Sequence, residues 1–141
     1  MKIEVIAYTE PIPKGRPRFR IFRGHVSTYT PTKTAIYEKL IAETYKDQAQ
    51  CFQFSREQAL NVRLRFGLGI PKSTSKYKVK EMLAGLSKHI KKPDIDNLIK
   101  SVLDALNGIA WEDDAQIVRV TASKVYTNVP FVSITINEEV E

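Results

Sequence analysis

The spacing of apolar residues divides the chain into short strands and longer helices. Apolar and polar residues alternate in part over residues 3–9, which predicts a first strand. Residues 11–18 contain three prolines and a glycine. Because proline removes a backbone donor, no regular element is expected there. Residues 19–22 and 25–29 are expected to pair as a short hairpin around Arg23-Gly24.

A helix is predicted to begin where Thr30 precedes Pro31, because threonine is a common N-cap and proline suits the first helical position. The helix runs to about residue 50. Its apolar residues recur at helical spacing, among them Ile36, Leu40, Ile41 and Tyr45. Residues 59–70 then alternate apolar and polar side chains, which is typical of a strand with one buried face.

The second half of the chain contains the clearest helix. Residues 71–92 are rich in lysine and serine, with a short helix expected near residues 75–83. The clearest helix spans residues 94–106 and ends at Asn107-Gly108, since glycine or asparagine commonly follows the last turn. Two further strands are predicted at residues 116–127 and 131–137. This order indicates an α+β fold, a single small domain over residues 1–141 with a mixed or mostly antiparallel sheet and two main helices.

The helix at residues 94–106 has one apolar and one polar side. Its apolar arc contains Ile95, Leu98, Ile99, Val102, Leu103 and Leu106. Asp96, Lys100 and Asp104 follow one another at intervals of four, so they form a line along the polar side. Asp94 lies at the start, where the helix dipole favours a carboxylate. The same residues also suit a purely structural role, as helix caps and solvated ion pairs that neither bind metal nor catalyse a reaction.

A second acidic cluster, residues 112–114, follows this helix and precedes a strand. If the strand returns beside the helix, it brings this cluster towards Asp94 and Asp96. Carboxylates clustered within a basic chain are typical of metal-assisted phosphodiester cleavage, because Mg²⁺ prefers hard oxygen ligands and activates a bound water. A lysine such as Lys100 can neutralise the charge that develops on the phosphate. Zinc is not expected, since the chain has one cysteine and two separated histidines.

Composition narrows the class of protein further. The chain has 141 residues, a formal charge of +6 and a pI near 9.4, which favours polyanionic partners. No apolar run approaches the roughly 18 residues of a membrane span, and the N-terminus has no signal-peptide layout. We therefore expect no membrane partner and an intracellular location. Cys51 is the single cysteine, which excludes an internal disulfide framework.

In four segments the chain resembles the RusA-type Holliday-junction resolvases. These segments are PKGRPR (13–18), KPDIDNLIK (92–100), DALNG (104–108) and DDAQI (113–117). The resemblance implies a small homodimeric α+β nuclease of the bacterial cytoplasm, often encoded by prophages. Such an enzyme acts in DNA recombination and repair and resolves four-way DNA junctions by paired symmetric nicks. Its cofactor is Mg²⁺, with Mn²⁺ as a substitute ion.

The resemblance also implies roles for single residues. Three carboxylates match the metal-binding and catalytic positions of the family: Asp94, Asp96 and Asp114. Lys100 matches the catalytic lysine, and Asp113 matches a less critical metal-binding neighbour of Asp114. Asp104 receives a supporting role, such as holding Lys100. Two nicks across a two-fold symmetric junction also call for two equivalent sites, which is consistent with a homodimer.

Basic residues outside the acidic cluster are candidates for phosphate contacts. We predict DNA binding by Lys14, Arg16, Arg18, Lys76, Lys91 and Lys92. Phe19 and Trp111 are expected to pack in the core, and His89 to be exposed and solvated. Two alternatives stay open from the sequence. One is a less selective Mg²⁺-dependent nuclease acting on flaps, forks or RNA, and the other is a DNA-binding module without catalysis.

Overall fold

Ten elements of secondary structure follow one another in a computed structural model, which describes residues 1–15, 18–29 and 31–140. They are β1 (Lys2–Ala7), β2 (Arg18–Phe22), β3 (His25–Tyr29), α1 (Thr32–Gln48), β4 (Leu60–Gly69), α2 (Lys76–Leu83), α3 (Ile95–Leu106), a 3-10 turn (Asp114–Gln116), β5 (Ile117–Thr127) and β6 (Phe131–Glu138). Arg16, Thr30 and the side chain of Arg18, all named in predictions above, lie outside the described residues.

Four strands form the main sheet in the order β1–β6–β4–β5. β6 is antiparallel to both β1 and β4, and β5 is parallel to β4. The sheet is therefore mixed and mostly antiparallel, which confirms the predicted α+β fold. Along β4 the side chains alternate as the sequence predicts, with Val62 and Leu64 buried and Arg63 and Arg65 exposed. One face of the sheet is thus polar and the other belongs to the core.

Helices α1 and α3 pack against each other and help to build the core. The predicted start of α1 is one residue too early, because Pro31 has an extended ψ of 142° and occupies the N-cap position. Ile41 and Tyr45 are buried, but Ile36 and Leu40 are 65% and 44% exposed. Helical spacing therefore does not distinguish these two exposed residues from the buried ones. The buried face is Thr34, Tyr37, Ile41, Ala42 and Tyr45.

The hairpin of β2 and β3 is a separate two-stranded sheet. Arg23 and Gly24 both have positive φ at its turn, as tight hairpins require. The prediction that Phe19 packs in the core was wrong, since this side chain is 75% exposed. Ile21 and Val26 are exposed as well. The reason is that the hairpin pairs outside the four-stranded sheet, so these apolar side chains do not join the core cluster.

Helix α3 ends as predicted, with Asn107 at the C-cap position and Gly108 at a φ of 78°. Its buried residues include Leu98, Val102 and Leu106. Trp111 follows shortly afterwards and is fully buried, so the expectation of a packing role is confirmed. This burial holds the following 3-10 turn against the molecule. Among the described residues, no helix is both long enough and apolar enough to cross a membrane.

Candidate functional site

A chain of four charged side chains links α1 to the polar side of α3. The ammonium of Lys14 lies 2.9 Å from Glu38 Oε2 and 3.1 Å from Asp104 Oδ2. The same Asp104 oxygen lies 3.7 Å from Lys100 Nζ, one helical turn away. The expected pairing of Asp104 with Lys100 is therefore present. We call Glu38, Lys14, Asp104 and Lys100 the ion-pair chain.

Lys14 is the least exposed member of this chain, with 16% of its side chain accessible. Burial acts to lower its pKa, but the hydrogen bonds and charges of Glu38 and Asp104 outweigh burial, so the pKa is raised. Lys14 therefore stays protonated, and its single positive charge is shared between two carboxylates. Lys14 was predicted to contact DNA, and such a contact would compete with this internal pairing. The DNA contact stays a prediction.

The proline-rich segment places Lys14 by docking on both helices. The backbone N–H of Lys14 donates to Asn97 O at 2.9 Å, at the first turn of α3. Ser101 Oγ donates to Ile12 O at 2.7 Å, and the N–H of Gly15 donates to Thr34 Oγ1 at 3.2 Å. Because these bonds fix the backbone on either side of Lys14, its side chain is directed between α1 and α3.

Asp114 is held by the buried Trp111. The indole Nε1–H of Trp111 donates to Asp114 Oδ1 at 2.7 Å, and the N–H of Asp114 donates to Asn107 Oδ1 at 3.1 Å. Burial raises the pKa of the Asp114 carboxyl. The hydrogen bond from Trp111 opposes this rise, and the charges of Asp104 and Asp113 add to it. The positive charge of Lys100 acts in the opposite direction and lowers the pKa of Asp114.

Asp113 has structural partners instead. Its Oδ1 accepts from Ala115 N–H at 2.9 Å and caps the 3-10 turn, and Gln116 completes the capping box. Its Oδ2 lies 3.2 Å from Arg56 Nη2. Both carboxylate oxygens are therefore engaged. This arrangement is consistent with ranking Asp114 above Asp113 as a metal ligand.

Asp94 and Asp96 lie at the opposite end of α3. Asp94 occupies the N-cap position but makes no capping hydrogen bond, and Lys92 Nζ lies 2.8 and 2.9 Å from its two oxygens. Asp96 Oδ1 accepts from the adjacent Asn97 N–H at 2.9 Å. The geometry therefore gives no support to the idea that Asp94 is present only as a helix cap.

The entry to α3 is fixed by a residue that sequence analysis missed. Lys124 of β5 donates to the carbonyl oxygens of Lys91 at 2.9 Å and Pro93 at 3.0 Å. Lys124 is the register partner of the buried Phe66, so it points to the core side of the sheet. A lysine at an inward position of a strand was the available signal. Lys124 holds in place the segment that carries Asp94.

The structure separates the predicted carboxylates into two groups. Asp96 and Asp104 are about 12 Å apart along the helix axis, at 1.5 Å per residue. Asp114 of the second acidic cluster lies at the end of α3, where its N–H donates to Asn107, and not at the helix start. Within the described ranges, no three His, Cys, Asp or Glu side chains form a group that could hold one metal ion. Mg²⁺ commonly takes one or two carboxylates with water, so these hard oxygen donors still fit it.

The other predicted DNA contacts lie near the start of α3 or on α2. Lys76 is the first residue of α2 and is exposed. Lys91 and Lys92 are exposed in the segment before α3, and Lys92 is paired with Asp94. The structure therefore places three basic side chains on this part of the surface.

Two comparisons relate the chain to known proteins. A family model described as endodeoxyribonuclease RusA matches residues 9–137, a range that includes every candidate site residue described above. A protein of Bacillus subtilis (strain 168), YqaN, is 32% identical over 136 residues, which is 96% of each chain. YqaN is itself described as uncharacterized, so its name assigns no activity.

Proposed function

The chain belongs to the RusA endodeoxyribonuclease family, and from this premise we propose that it resolves four-way DNA junctions by Mg²⁺-dependent phosphodiester hydrolysis. Two strands are nicked symmetrically, in recombination and repair of DNA in the bacterial cytoplasm. The observation that carries the proposal is that Asp114, held by Trp111 and Asn107, lies at the end of α3, whose polar side carries the Asp104–Lys100 pair. Such a site combines hard anionic ligands with a cation for the substrate phosphate.

The metal ligands that we propose are Asp94 and Asp96 at the start of α3 and Asp114, with Asp113 in a lesser role, at its other end. Because the two groups lie apart, they would not share one ion in the arrangement described. When bound, Mg²⁺ lowers the pKa of a water and draws charge from the phosphate; Mn²⁺ can substitute for it. Asp114 is kept oriented by the indole of Trp111. Because Asp114 has a raised pKa, protons compete with the metal for it at low pH.

Lys100 is the proposed catalytic lysine. Its side chain is 63% exposed, so its ammonium can reach a phosphate, while Asp104 limits its motion. The ammonium then lies beside the phosphate oxygens and stabilises the extra negative charge of the transition state. Lys14 neutralises Asp104 in part, which weakens the hold of Asp104 on Lys100.

We also propose that the active form is a homodimer. A four-way junction has two-fold symmetry, so two opposed nicks require two equivalent sites. Basic side chains hold the DNA through its phosphates, which fixes its position without reading its sequence. The residues assigned to this role are Lys14, Arg16, Arg18, Lys76, Lys91 and Lys92, and the formal charge of +6 supports it.

A cleavage assay on matched DNA forms tests the proposal. The protein is incubated with a labelled four-way junction, a flap and a linear duplex of shared sequence, in Mg²⁺, Mn²⁺ or EDTA. We expect paired nicks in the junction alone, lost in EDTA. Equal cutting of all three forms would indicate a less selective nuclease. Tight junction binding without cutting in either metal would indicate a DNA-binding module.

A further inference from the structure

A separate cleft lies beside the start of α3, with a volume of about 480 Å³. This volume is within the range of small-ligand sites, roughly 300–1,000 Å³. Its walls come from the start of α2, the segment before α3, and the ends of β4 and β5. We call it the α2 cleft and define it by Lys78, His89, Lys91, Lys92 and Tyr126.

The α2 cleft carries a surplus of positive charge. Lys78, Lys91 and Lys92 line it, against one carboxylate, Glu10. Lys92 is paired with Asp94, and Lys78 Nζ lies 3.8 Å from a Glu81 oxygen. Lys91 has no ion-pair partner for its ammonium among the residues that the structure describes. The cleft therefore offers an unmatched cation, which suits a phosphate.

An aromatic pair lines the same cleft. The rings of His89 and Tyr126 have centroids 4.8 Å apart and are tilted by 51°. The expectation of an exposed, solvated His89 was therefore wrong, because the ring packs on β5 and is partly buried. Its Nδ1 is buried without a hydrogen-bond partner among the described residues. Burial and the charge of Lys124 lower the pKa of His89, so the ring is neutral near pH 7.

The α2 cleft adjoins the recess in front of Asp94. That recess, of about 380 Å³, is lined by Asp94 and Asn97 and shares Lys92 and Pro93 with the α2 cleft. The two spaces are therefore neighbours. A DNA strand with one phosphate at Asp94 would therefore bring a neighbouring nucleotide to the α2 cleft.

We propose that the α2 cleft binds one unpaired nucleotide of the strand being cut, next to the phosphate that lies at Asp94. Its phosphate contacts Lys91 and Lys78, and its base lies against His89 and Tyr126. Aromatic rings with basic groups are a common arrangement for single-stranded DNA. A base in a duplex is stacked on both faces, so the nucleotide must be unpaired. The inference rests on the proposed function. A cleft for an unpaired nucleotide would favour branched DNA, because base pairs at the branch point open.

Histidine NMR tests the cleft directly, because the chain has only two histidines, His25 and His89. Protein with isotope-labelled histidine is titrated with thymidine 5′-monophosphate. We expect the His89 ring signals to shift and saturate, while those of His25, in the β2–β3 hairpin, stay in place. Lys91→Ala should weaken binding about tenfold, the scale of one lost charge-assisted hydrogen bond. Lys2→Ala, on the polar face of the sheet, is the matched control and should bind as the wild type does.

Two further probes test how much the nucleoside and the phosphate each contribute to binding. Thymidine and inorganic phosphate should each bind more weakly than the whole nucleotide. An unshifted His89 at millimolar nucleotide, equal binding of inorganic phosphate, or an unchanged Lys91→Ala affinity would overturn the proposal. Junction cleavage is measured on the same protein. Cleavage without a His89 response would reject nucleotide binding in the α2 cleft and leave the proposed function standing. A His89 response without cleavage would reject the proposed function and leave nucleotide binding in the cleft standing.

Discussion

At the scale of single residues, Asp104 has a more central position than its place in the sequence suggests. It accepts ion pairs from both Lys14 and Lys100, and its charge raises the pKa of Asp114. The pairing of Asp104 with Lys100 follows from helical spacing and was predictable. The role of Lys14 was not, because 90 residues separate it from Asp104 and only the docking of the proline-rich segment brings them together.

Lys14→Met tests the ion-pair chain. The variant keeps most of the side-chain volume but leaves Glu38 and Asp104 without their shared, largely buried cation. We expect the free energy of unfolding to fall by roughly 1–3 kcal/mol, as measured by chemical denaturation. Lys46→Met is the control, since Lys46 makes an exposed pair with Glu43 at 3.8 Å; a change within about 0.5 kcal/mol is expected. Equal losses in the free energy of unfolding of both variants would mean that the ion-pair chain adds no stability.

Trp111→Phe tests the hold on Asp114. The substitution removes the indole N–H that donates to Asp114 Oδ1 and keeps an aromatic ring in the core. We expect the Mg²⁺ concentration for half-maximal cleavage to rise about 10- to 100-fold, as for other residues that orient metal ligands. The shift should increase at lower pH, because the lost hydrogen bond had opposed the raised pKa of Asp114.

Phe54→Leu provides the matched control for that variant. Phe54 is fully buried, and its backbone pairs with Trp111 in an isolated bridge. Its replacement loosens the core, and it is not among the hydrogen-bond partners of Asp114. We expect lower stability with an unchanged Mg²⁺ requirement. If both variants raised the requirement equally, Trp111 would act through packing alone.

At the scale of elements, the sequence was most informative where the apolar residues followed a single helical or alternating periodicity. Helix α3 and strand β4 lie within a residue of their predicted bounds, since their apolar residues follow a clear helical or alternating pattern. Helix α1 was less well predicted, because Ile36 and Leu40 share helical spacing with its true core face. The face of α1 that becomes buried depends on the helix and sheet packed against it. The local sequence pattern contains no information about those neighbours.

Gly67→Ala tests the packing where the end of β4 meets the start of β6. Gly67 pairs with Phe131 of β6, and an added Cβ would overlap the Phe131 ring and approach Thr127 Cγ2 to 2.9 Å. We expect a loss of roughly 1–3 kcal/mol in the free energy of unfolding, because the ring must leave its place over the glycine. Adding Phe131→Ala should make the Gly67→Ala substitution nearly neutral. A penalty that persists in that background would point to the contact with Thr127 or to the backbone instead.

At the scale of the whole molecule, the fold places the candidate chemistry on one side of the sheet. Helix α3 lies on the core side, and β5 returns past its start, where Lys124 holds the entry segment. The sequence offered the candidate carboxylates but did not indicate that the structure would place them at the two ends of α3. That division depends on how the 3-10 turn packs, which Trp111 and Asn107 determine through contacts outside any motif.

Salt dependence measures the phosphate contacts of the intact protein. Each phosphate that is neutralised releases condensed counterions, so junction affinity should fall steeply as salt increases. We expect Lys76→Ala and Lys91→Ala each to reduce the slope of log affinity against log salt by about 1. Fluorescence anisotropy in Ca²⁺ or EDTA provides the measurement. Lys2→Ala, with the same loss of charge on the polar sheet face, should keep the wild-type slope.

The central claim is that the carboxylates along α3 and the 3-10 turn carry metal-dependent cleavage. Its most direct test measures both cleavage and binding of a labelled four-way junction by Asp94→Asn, Asp114→Asn and the control Asp47→Asn, an exposed aspartate of α1. We predict that the first two bind the junction but lose at least about 100-fold in cleavage rate, the scale of a lost catalytic group, while the control cuts as the wild type does. Cleavage by Asp94→Asn and Asp114→Asn at the wild-type rate would contradict the account.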